Sequence, residues 1–573
     1  MAIVGADRQR IQVASAPGHG HGARWMLPLL LTGQAMAAMD TSIANVAAPV
    51  LRQELGISGA LLQLVVAGYV LAYAVFLITG ARLGDDHGYK RMFVVGVWLF
   101  TGSSLLCGLA PSTTLLIAGR LAQGLGAALL VPQVLSLIQK TFEGDARARA
   151  IGYYSMILGL GSTAGQVLGG LAVTLDLWGL SWRPAFLINV PIGIALALQA
   201  RSVLPDIRGG VRRSLDVVGV AVLTVSMLLV VIPLTFGQEV GWTDWTWFSL
   251  VLGLAGLAAF WRYETALSRR GPDSGALLNV EAVLAPGIRP GLAVVVIGFV
   301  GYGGWLFATA LYLQTGLGYS PLVSGSVFAA YALGFGISNV KWSKLPPRFL
   351  RWTPPAGLGV MVAANLLFAV TALGSGWVAP VMIPLLFLAG SSHGLTFGTT
   401  VNQMTIRTSG ANVPALSGLV TTSVQLSIVV GIAALGALYL SVSQPGAVEP
   451  SSRAIALVTF SIAAGAMVAL ACSLRLATLP IPRNLPMAER TMQSEAAKIH
   501  RRIKDAVSRL IAVPAVEIDD GQLLSEYGMN SIDLIDLVAA LEAEYGIEFD
   551  PTTMTDVTCR SLSANVLASL RVG

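Results

Sequence analysis

Apolar runs close to 20 residues long recur along this chain of 573 residues. That is the length at which a helix crosses the hydrocarbon of a bilayer. Fourteen such runs are read near 25–50, 60–81, 92–110, 113–138, 150–175, 184–204, 215–236, 246–264, 288–314, 320–340, 354–373, 378–400, 414–442 and 454–474. The composition agrees: 54% of residues are hydrophobic and only 12% are charged, about half the charge of a soluble domain, which runs at roughly 25%. Mean hydropathy is +0.71. A water-exposed fold of this size has no polar surface to draw on, so the expectation is an all-α, polytopic membrane protein. The polar tail, residues 1–24, shows no cleavable-signal pattern.

Charge between the runs predicts orientation. The loops after even-numbered spans hold nineteen Lys and Arg, among them Arg82, Lys90, Arg91, Arg147, Arg212, Arg269 and Arg351; the opposite loops hold only Arg52, Arg183 and Arg453. Basic loops stay in the cytoplasm, which places both termini there and the protein in the cytoplasmic membrane. An even span count is what keeps this alternation in register.

The net charge of +6 conceals a second part of the chain. From Ser494 to Gly573 there are thirteen acidic and seven basic residues, and Asp519 to Asp556 has ten carboxylates with no Lys or Arg. Pro480, Pro482 and Pro486 stiffen the connector before it. The predicted organisation is a tail (1–24), a membrane domain (25–475), a linker (476–490) and a small C-terminal domain (491–573).

The three cysteines, Cys107, Cys472 and Cys559, are far apart and not spaced as metal ligands, so they read as buried small residues. Gly124 with Gly126, and Gly301 with Gly303 and Gly304, follow no strand and are read as helix packing rather than nucleotide loops. The fifth span carries Gly159, Gly161, Gly165, Gly169 and Gly170, which lets a neighbouring backbone approach. No motif for nucleotide hydrolysis or for catalysis stands out, so neither a primary pump nor an enzyme is expected.

Span 1 reads Asp40-Thr-Ser-Ile-Ala-Asn45-Val-Ala-Ala-Pro49, and the segment after span 2 reads Gly80-Ala-Arg82-Leu-Gly84-Asp85-Asp86-His-Gly88-Tyr89-Lys90-Arg91. Span 4 opens Gly119-Arg120-Leu-Ala-Gln123-Gly124, and Trp182-Arg183-Pro-Ala-Phe186-Leu-Ile-Asn189 precedes span 6. Tyr312-Leu-Gln314-Thr-Gly316 and Ser417-Gly418 follow in the second half. Together these resemble the major facilitator superfamily, in its fourteen-helix drug/proton antiporter branch, over residues 25–475.

From the residues alone, an ionisable group inside a span costs roughly 2.5–3.5 kcal/mol or more unless paired or hydrated. Asp40 and Arg120 are the clearest cases in the first half. A carboxylate beside a fixed cation is the simplest device for coupling proton movement to transport, with a static structural pair as the alternative. The resemblance implies that Asp40, Arg120, Asn45 and Gln123 serve proton coupling and transport. It also implies that the segment Gly80, Arg82, Gly84, Asp85, Gly88, Lys90 and Arg91 gates the conformational change, its glycines making tight turns and Asp85 latching the two halves; the alternative is a plain solvated turn. The chain departs from that pattern at Asp86 and Tyr89, where basic residues are usual, at Gln166, where Pro is usual, and at Leu64, where Trp commonly follows Gln63. His393, in span 12, is either titratable or a hydrogen-bonded packing residue.

In the C-terminal domain, Leu523-Leu-Ser-Glu-Tyr-Gly528-Met-Asn530-Ser531-Ile-Asp533-Leu-Ile-Asp536 resembles the acyl/peptidyl carrier proteins over residues 491–573. An apolar stripe of Ile499, Ile503, Val507 and Leu510, and another of Leu534, Leu537, Val538, Leu541 and Tyr545, would fill the core with Phe549 and Leu562 to Leu570. The resemblance implies a four-helix bundle and a 4'-phosphopantetheine arm on Ser531. A helix N-terminus there would favour the arm's phosphate through its free amides. It further implies a phosphopantetheinyl transferase and acyl or peptidyl synthases as partners at an acidic face of Asp533, Asp536, Glu542 and Glu544. Asn530 replaces the Asp usual before this serine, and an unmodified docking module, with Ser531 a mere helix cap, is the alternative.

Three functional classes follow. The first is a proton-coupled exporter of an amphiphilic small molecule or lipid, tied to biosynthesis by its carrier. The second is a membrane-anchored carrier serving an assembly line. The third is a transporter regulated by the carrier fold. Nucleic acid is not an expected partner.

Overall fold

The computed structural model describes residues 21–142, 144–176, 179–207, 216–269, 287–342, 345–375, 378–408, 413–444, 446–479, 487–511, 513–514, 517–519, 522–545, 557–559, 561–563 and 566. The chain forms two compact units, residues 1–480 and 481–573.

In the first unit each of the fourteen predicted spans falls on a helix: α1 (His21–Leu55), α2 (Gly59–His87), α3 (Tyr89–Gly108), α4 (Thr113–Thr141), α5 (Gly144–Thr174), α6 (Asn189–Val203, after a short turn Pro184–Leu187), α7 (Val217–Phe236), α8 (Asp244–Ser268), α9 (Ile288–Leu311), α10 (Pro321–Lys341), α11 (Thr353–Ser375), α12 (Ala379–Thr405), α13 (Val413–Val442) and α14 (Val448–Thr478). Among the described residues, twelve of these are long and apolar enough to cross a membrane. The other two are α1, which carries Gln34, Asp40 and Asn45 in mid-helix, and α5. A helix satisfies its own amides and carbonyls, which is why helices fill the hydrocarbon region. Starts are marked by side-chain caps: Ser58 accepts from Leu61 N, Ser112 from Leu115 N, and Ser320, followed by Pro321, from Val323 N.

The helices pack as two halves, α1–α6 and α9–α14. Within the first, α2 and α3 lie on α4, and α1 lies on α5; within the second, α13 lies on α9, α12 on α10, and α14 on α11. The halves meet where α5 touches α10 and where α2 touches α13. Helices α7 and α8 pair with each other, and α7 also rests on α2 and α13. Phe248, Val251 and Leu254 on α8 are exposed, as suits a lipid-facing helix.

Small residues set the close approaches. Gly161, Gly165 and Gly169, one turn apart, face Ala35, Met39 and Ile43 of α1; a Cβ on Gly165 would stand 2.3 Å from the Met39 carbonyl oxygen. The segment after span 2 differs from the expected turn-rich loop. Gly80 and Gly84 are helical, inside α2, and are small because α4 presses on them: a Cβ on Gly80 would lie 1.9 Å from the Ala128 carbonyl oxygen. Only Gly88, at φ 97°, makes a turn. Lys90 and Arg91 then belong to the first turn of α3.

The second unit has its own core. Helix α15 (Met487–Ile511) lays Ile499, Ile503 and Val507 against Leu537 and Leu541 of α16 (Ser531–Tyr545), with Ile518, Leu524, Met529, Val557, Cys559, Leu562 and Val566 filling in. Leu510, expected in this core, is instead exposed at the last turn, and Ile511 and Val513 pack against the core nearby. Phe549 and residues 567–570 lie outside the described residues, as does the side chain of Tyr545. Cys107 and Cys559 are buried, Cys472 is half-buried, and all three are free thiols.

The packing at Gly80 yields a test. Gly80→Ala should lower the melting temperature of the purified protein and its yield from membranes, because backbone must move to admit the methyl. Gly102→Ala, with nothing within 4 Å, should change neither. Equal thermal stability of the two variants would contradict this packing.

Candidate functional site

The buried polar groups of the first half converge on Asp40. Its Oδ2 accepts a hydrogen bond from Arg120 Nη1 at 2.5 Å, and its Oδ1 accepts from Gln123 Nε2 at 2.7 Å and from Asn189 Nδ2 at 2.9 Å. Arg120 also donates from Nη1 to Gln123 Oε1 (2.7 Å) and from Nε to the Val65 carbonyl (3.0 Å). Gln123 Nε2 lies 2.7 Å from Ser104 Oγ. Asp40, Arg120, Gln123, Asn189 and Ser104 have no solvent exposure.

The geometry follows from the helices. Arg120 and Gln123 sit three apart on α4 and so share a face, opposite Asp40 on α1. Helices α2, α3 and α6 bring Val65, Ser104 and Asn189 to the same point. The guanidinium lies 4.6 Å from the Tyr69 ring centre and 5.6 Å from that of Phe186, an arrangement that offsets part of its desolvation. Every group around Asp40 donates, so the site is built for the ionised carboxylate. A buried pair of this kind is costly to break from one side, at about 3–5 kcal/mol. Removing the Asp40 charge by protonation would leave Arg120 as a buried cation without its counter-ion.

The structure thus joins three of the four predicted residues and leaves out the fourth. Asn45 Nδ2 donates to the Thr41 carbonyl on its own helix (3.2 Å) and makes no recorded bond to Asp40; five residues further along α1, it points away from the carboxylate. Asn189 and Ser104 join the network without having been singled out as candidates in the sequence. Asn189 stood within a recognised motif, a visible signal, whereas a serine in an apolar span is too common to single out.

The segment from Gly80 to Arg91 engages its own half. Asp85 Oδ1 accepts from Tyr89 Oη at 2.5 Å, and Lys140 Nζ lies 5.4 Å from the Tyr89 ring centre. Gln133 Nε2 donates to the Gly80 carbonyl at 2.8 Å, and Tyr89 N donates to the Ile207 carbonyl at 3.1 Å. Tyr89, the departure from the expected basic residue, is therefore the partner of Asp85. In the second half, His393 Nδ1 shares a 2.7 Å hydrogen bond with Tyr331 Oη, its ring 4.7 Å from Phe299 and 5.3 Å from Phe335. That is the packing geometry of an aromatic cluster.

In the second unit, Ser531 is exposed at the first position of α16. Asn530, not Ser531, caps the helix: its Oδ1 accepts from Ile532 N and Asp533 N, both at 2.9 Å, and Asp533 Oδ2 accepts in return from Asn530 N at 3.2 Å. This reciprocal box answers the alternative reading of Ser531 as a cap and corrects one expectation. Ser531 is not the cap, and the amides of Ile532 and Asp533 are already spent on Asn530 rather than free for a phosphate. The Ser531 hydroxyl stands clear for modification, with exposed Ile532 and Ile535 beside it.

A helical, multi-span membrane unit with a buried charge network, joined to a unit that displays a serine at a helix start, defines a membrane transporter carrying a carrier-type domain. Residues 30–432 match the Major Facilitator Superfamily model, and residues 501–566 match the phosphopantetheine attachment site model. The chain belongs to the Major Facilitator Superfamily. It is 35% identical over 424 residues to the probable actinorhodin transporter of Streptomyces coelicolor, covering 73% of each chain. It is 33% identical over 425 residues to the cephamycin export protein CmcT of Amycolatopsis lactamdurans, covering 71% of this chain and 83% of that one. Among solved structures, a peptide transporter POT in complex with sulfate aligns with a TM-score of 0.59 at 18% identity, over 82% of this chain and 98% of the other. A bacterial Spinster homologue in an inward-facing, unoccupied conformation aligns at 0.58 and 17%, over 80% and 98%; both show the fold. These relatives are transporters, and the protein is a transporter rather than an enzyme.

The cap predicts a graded series. Asn530→Ala should destabilise the second unit by about 1 kcal/mol, and Asn530→Asp by only a few tenths, since Asp caps as well as Asn does. Urea unfolding of residues 487–573, which carry their own core, measures both.

Proposed function

We propose that the protein is a proton-coupled exporter of an amphiphilic small molecule or lipid, seated in the cytoplasmic membrane with both termini inside. Asp40 carries the coupling proton, and Ser531 carries a phosphopantetheine arm that ties export to the assembly of the cargo. The observation that carries this reading is the sealed network at Asp40. In its ionised form the carboxylate takes three donors, so a proton can bind only if the network opens and Arg120 finds water or another acceptor. Proton binding and rearrangement of α1, α4 and α6 are therefore one event, which is what coupling requires.

The contacts between the halves support a direction for the cycle. They gather where Val46, Gly59, Thr174, Pro321 and Leu440 lie, at helix ends that the basic bias of the loops assigns to the outside. At the opposite ends Asp85 bonds within its own half, as fits a latch released in an inward-open state. The relative named as a cephamycin export protein, beside the probable actinorhodin transporter, favours outward movement of small biosynthetic products. Substrate reception from the cytoplasm would then precede proton entry from outside.

When bound, the arm supplies a thiol for acyl or aminoacyl groups. The chain contributes an exposed Ser531 held in place by the Asn530 cap, and acidic Asp533 and Asp536 beside it for a basic transferase or synthase to dock on.

Two experiments test this reading. Asp40→Asn keeps the size of the side chain and its acceptor oxygen but cannot release a proton, so it should abolish gradient-driven transport in vesicles while the protein still inserts; unchanged proton dependence would refute the role. Co-expression with a phosphopantetheinyl transferase should add the arm's mass to the wild type, and Ser531→Ala should lose that addition. A wild type left unmodified under conditions that convert an ordinary carrier would reduce the second unit to a docking module.

A further inference from the structure

The seams between the two halves contain both fastenings and an opposing element. The fastenings are direct hydrogen bonds between the halves: Gln314 Nε2, in the turn after α9, donates to the Val46 carbonyl of α1 at 3.0 Å, and Leu322 N of α10 donates to Thr174 Oγ1 of α5 at 3.0 Å. Close backbone approach reinforces them, since a Cβ on Gly170 would stand 2.4 Å from the Pro321 carbonyl oxygen.

The opposing element is a pair of glutamines. Gln63, on α2, presses its amide on Gly436 of α13, where a Cβ would stand 2.9 Å from Gln63 Nε2. Gln166, on α5, shares a helical face with Gly170, one turn further on, and its backbone carbonyl lies against Gly325 of α10. The two side chains are 1% and 2% exposed. All four of their amide atoms are sealed from solvent without a hydrogen-bond partner among the described residues. A buried amide with neither its donor nor its acceptor satisfied keeps the whole desolvation penalty of the group. One such residue sits at each of the two seams, α2 against α13 and α5 against α10.

We propose that Gln63 and Gln166 are conformational counterweights. They raise the energy of the closed seam, regain hydrogen bonds to water when it parts, and so hold the two transport states close enough in energy for the carrier to cycle. An apolar side chain at either position would pack as well and leave the fastenings unopposed. The shift available is large, because one unsatisfied amide is enough to move a two-state equilibrium by tenfold or more. This inference rests on the proposed orientation, in which the seam faces outside, but not on the identity of the cargo or on Asp40.

Leu440, which packs on Gly59 at the edge of the first seam, provides the reporter. In a chain whose three native cysteines are replaced by alanine, Leu440→Cys is labelled in intact cells with a membrane-impermeant maleimide. Gln63→Leu and Gln166→Leu should each slow labelling at least tenfold, and Gln314→Leu, which removes a fastening, should speed it. Both Gln→Leu variants should also raise the melting temperature of the purified protein. Labelling that is unchanged or faster in the Gln→Leu variants overturns the proposal, as does a lowered melting temperature. Labelling of every variant from the cytoplasmic side alone would instead overturn the orientation. The order of rates among the variants, read from that side, would still decide the counterweight role.

Discussion

A carboxylate and a guanidinium placed in the middle of a bilayer can persist only if each supplies what the other lost on leaving water. Much of the first half is organised around that requirement. Asp40 and Arg120 would each be prohibitive alone; together, with Gln123, Asn189 and the Val65 carbonyl bonding Asp40 and the Nε and Nη1 atoms of Arg120, they become a tolerable core. The cost accounts for the convergence of five helices, α1, α2, α3, α4 and α6, on one point. It also makes the site responsive. A carboxylate that three donors are aimed at cannot take up a proton without giving up some of that geometry.

The second half faces the same bilayer and meets it differently. Around His393 the neighbours are Phe299, Tyr302, Tyr331 and Phe335, with Phe397 packed on Phe299 and Phe335, and a hydrogen bond is shared between His393 Nδ1 and Tyr331 Oη. The Asp40 site thus carries its buried polarity as charge and the His393 cluster as aromatic dipoles. The asymmetry suits a two-fold-like scaffold whose halves share packing but not chemistry. The unit after residue 480 has separate physics again: a small core, a capped helix, and a serine left accessible because its neighbour Asn530 does the capping.

The sequence by itself determined the class of fold, since a chain so apolar, in runs of bilayer length, has only closed helical solutions in lipid. It also determined the boundary between the two kinds of unit, through charge, and it singled out Asp40, Arg120, Gln123 and Ser531, whose chemistry is conspicuous against an apolar or acidic background. Tertiary structure decided what periodicity cannot encode. It assigned Gly80 and Gly84 to helix contact rather than to turns, because a glycine is small in either role and only the position of α4 tells them apart. It left Asn45 out of the hydrogen-bond network at Asp40 and brought Asn189 and Ser104 into it, because distance to Asp40 depends on how α1, α3 and α6 cross. It gave Tyr89 to Asp85 and the cap to Asn530, where the familiar pattern pointed to a basic residue and an Asp. Hydrogen bonds are short and directional, so partners separated by eighty or more residues are settled only when packing brings their helices together.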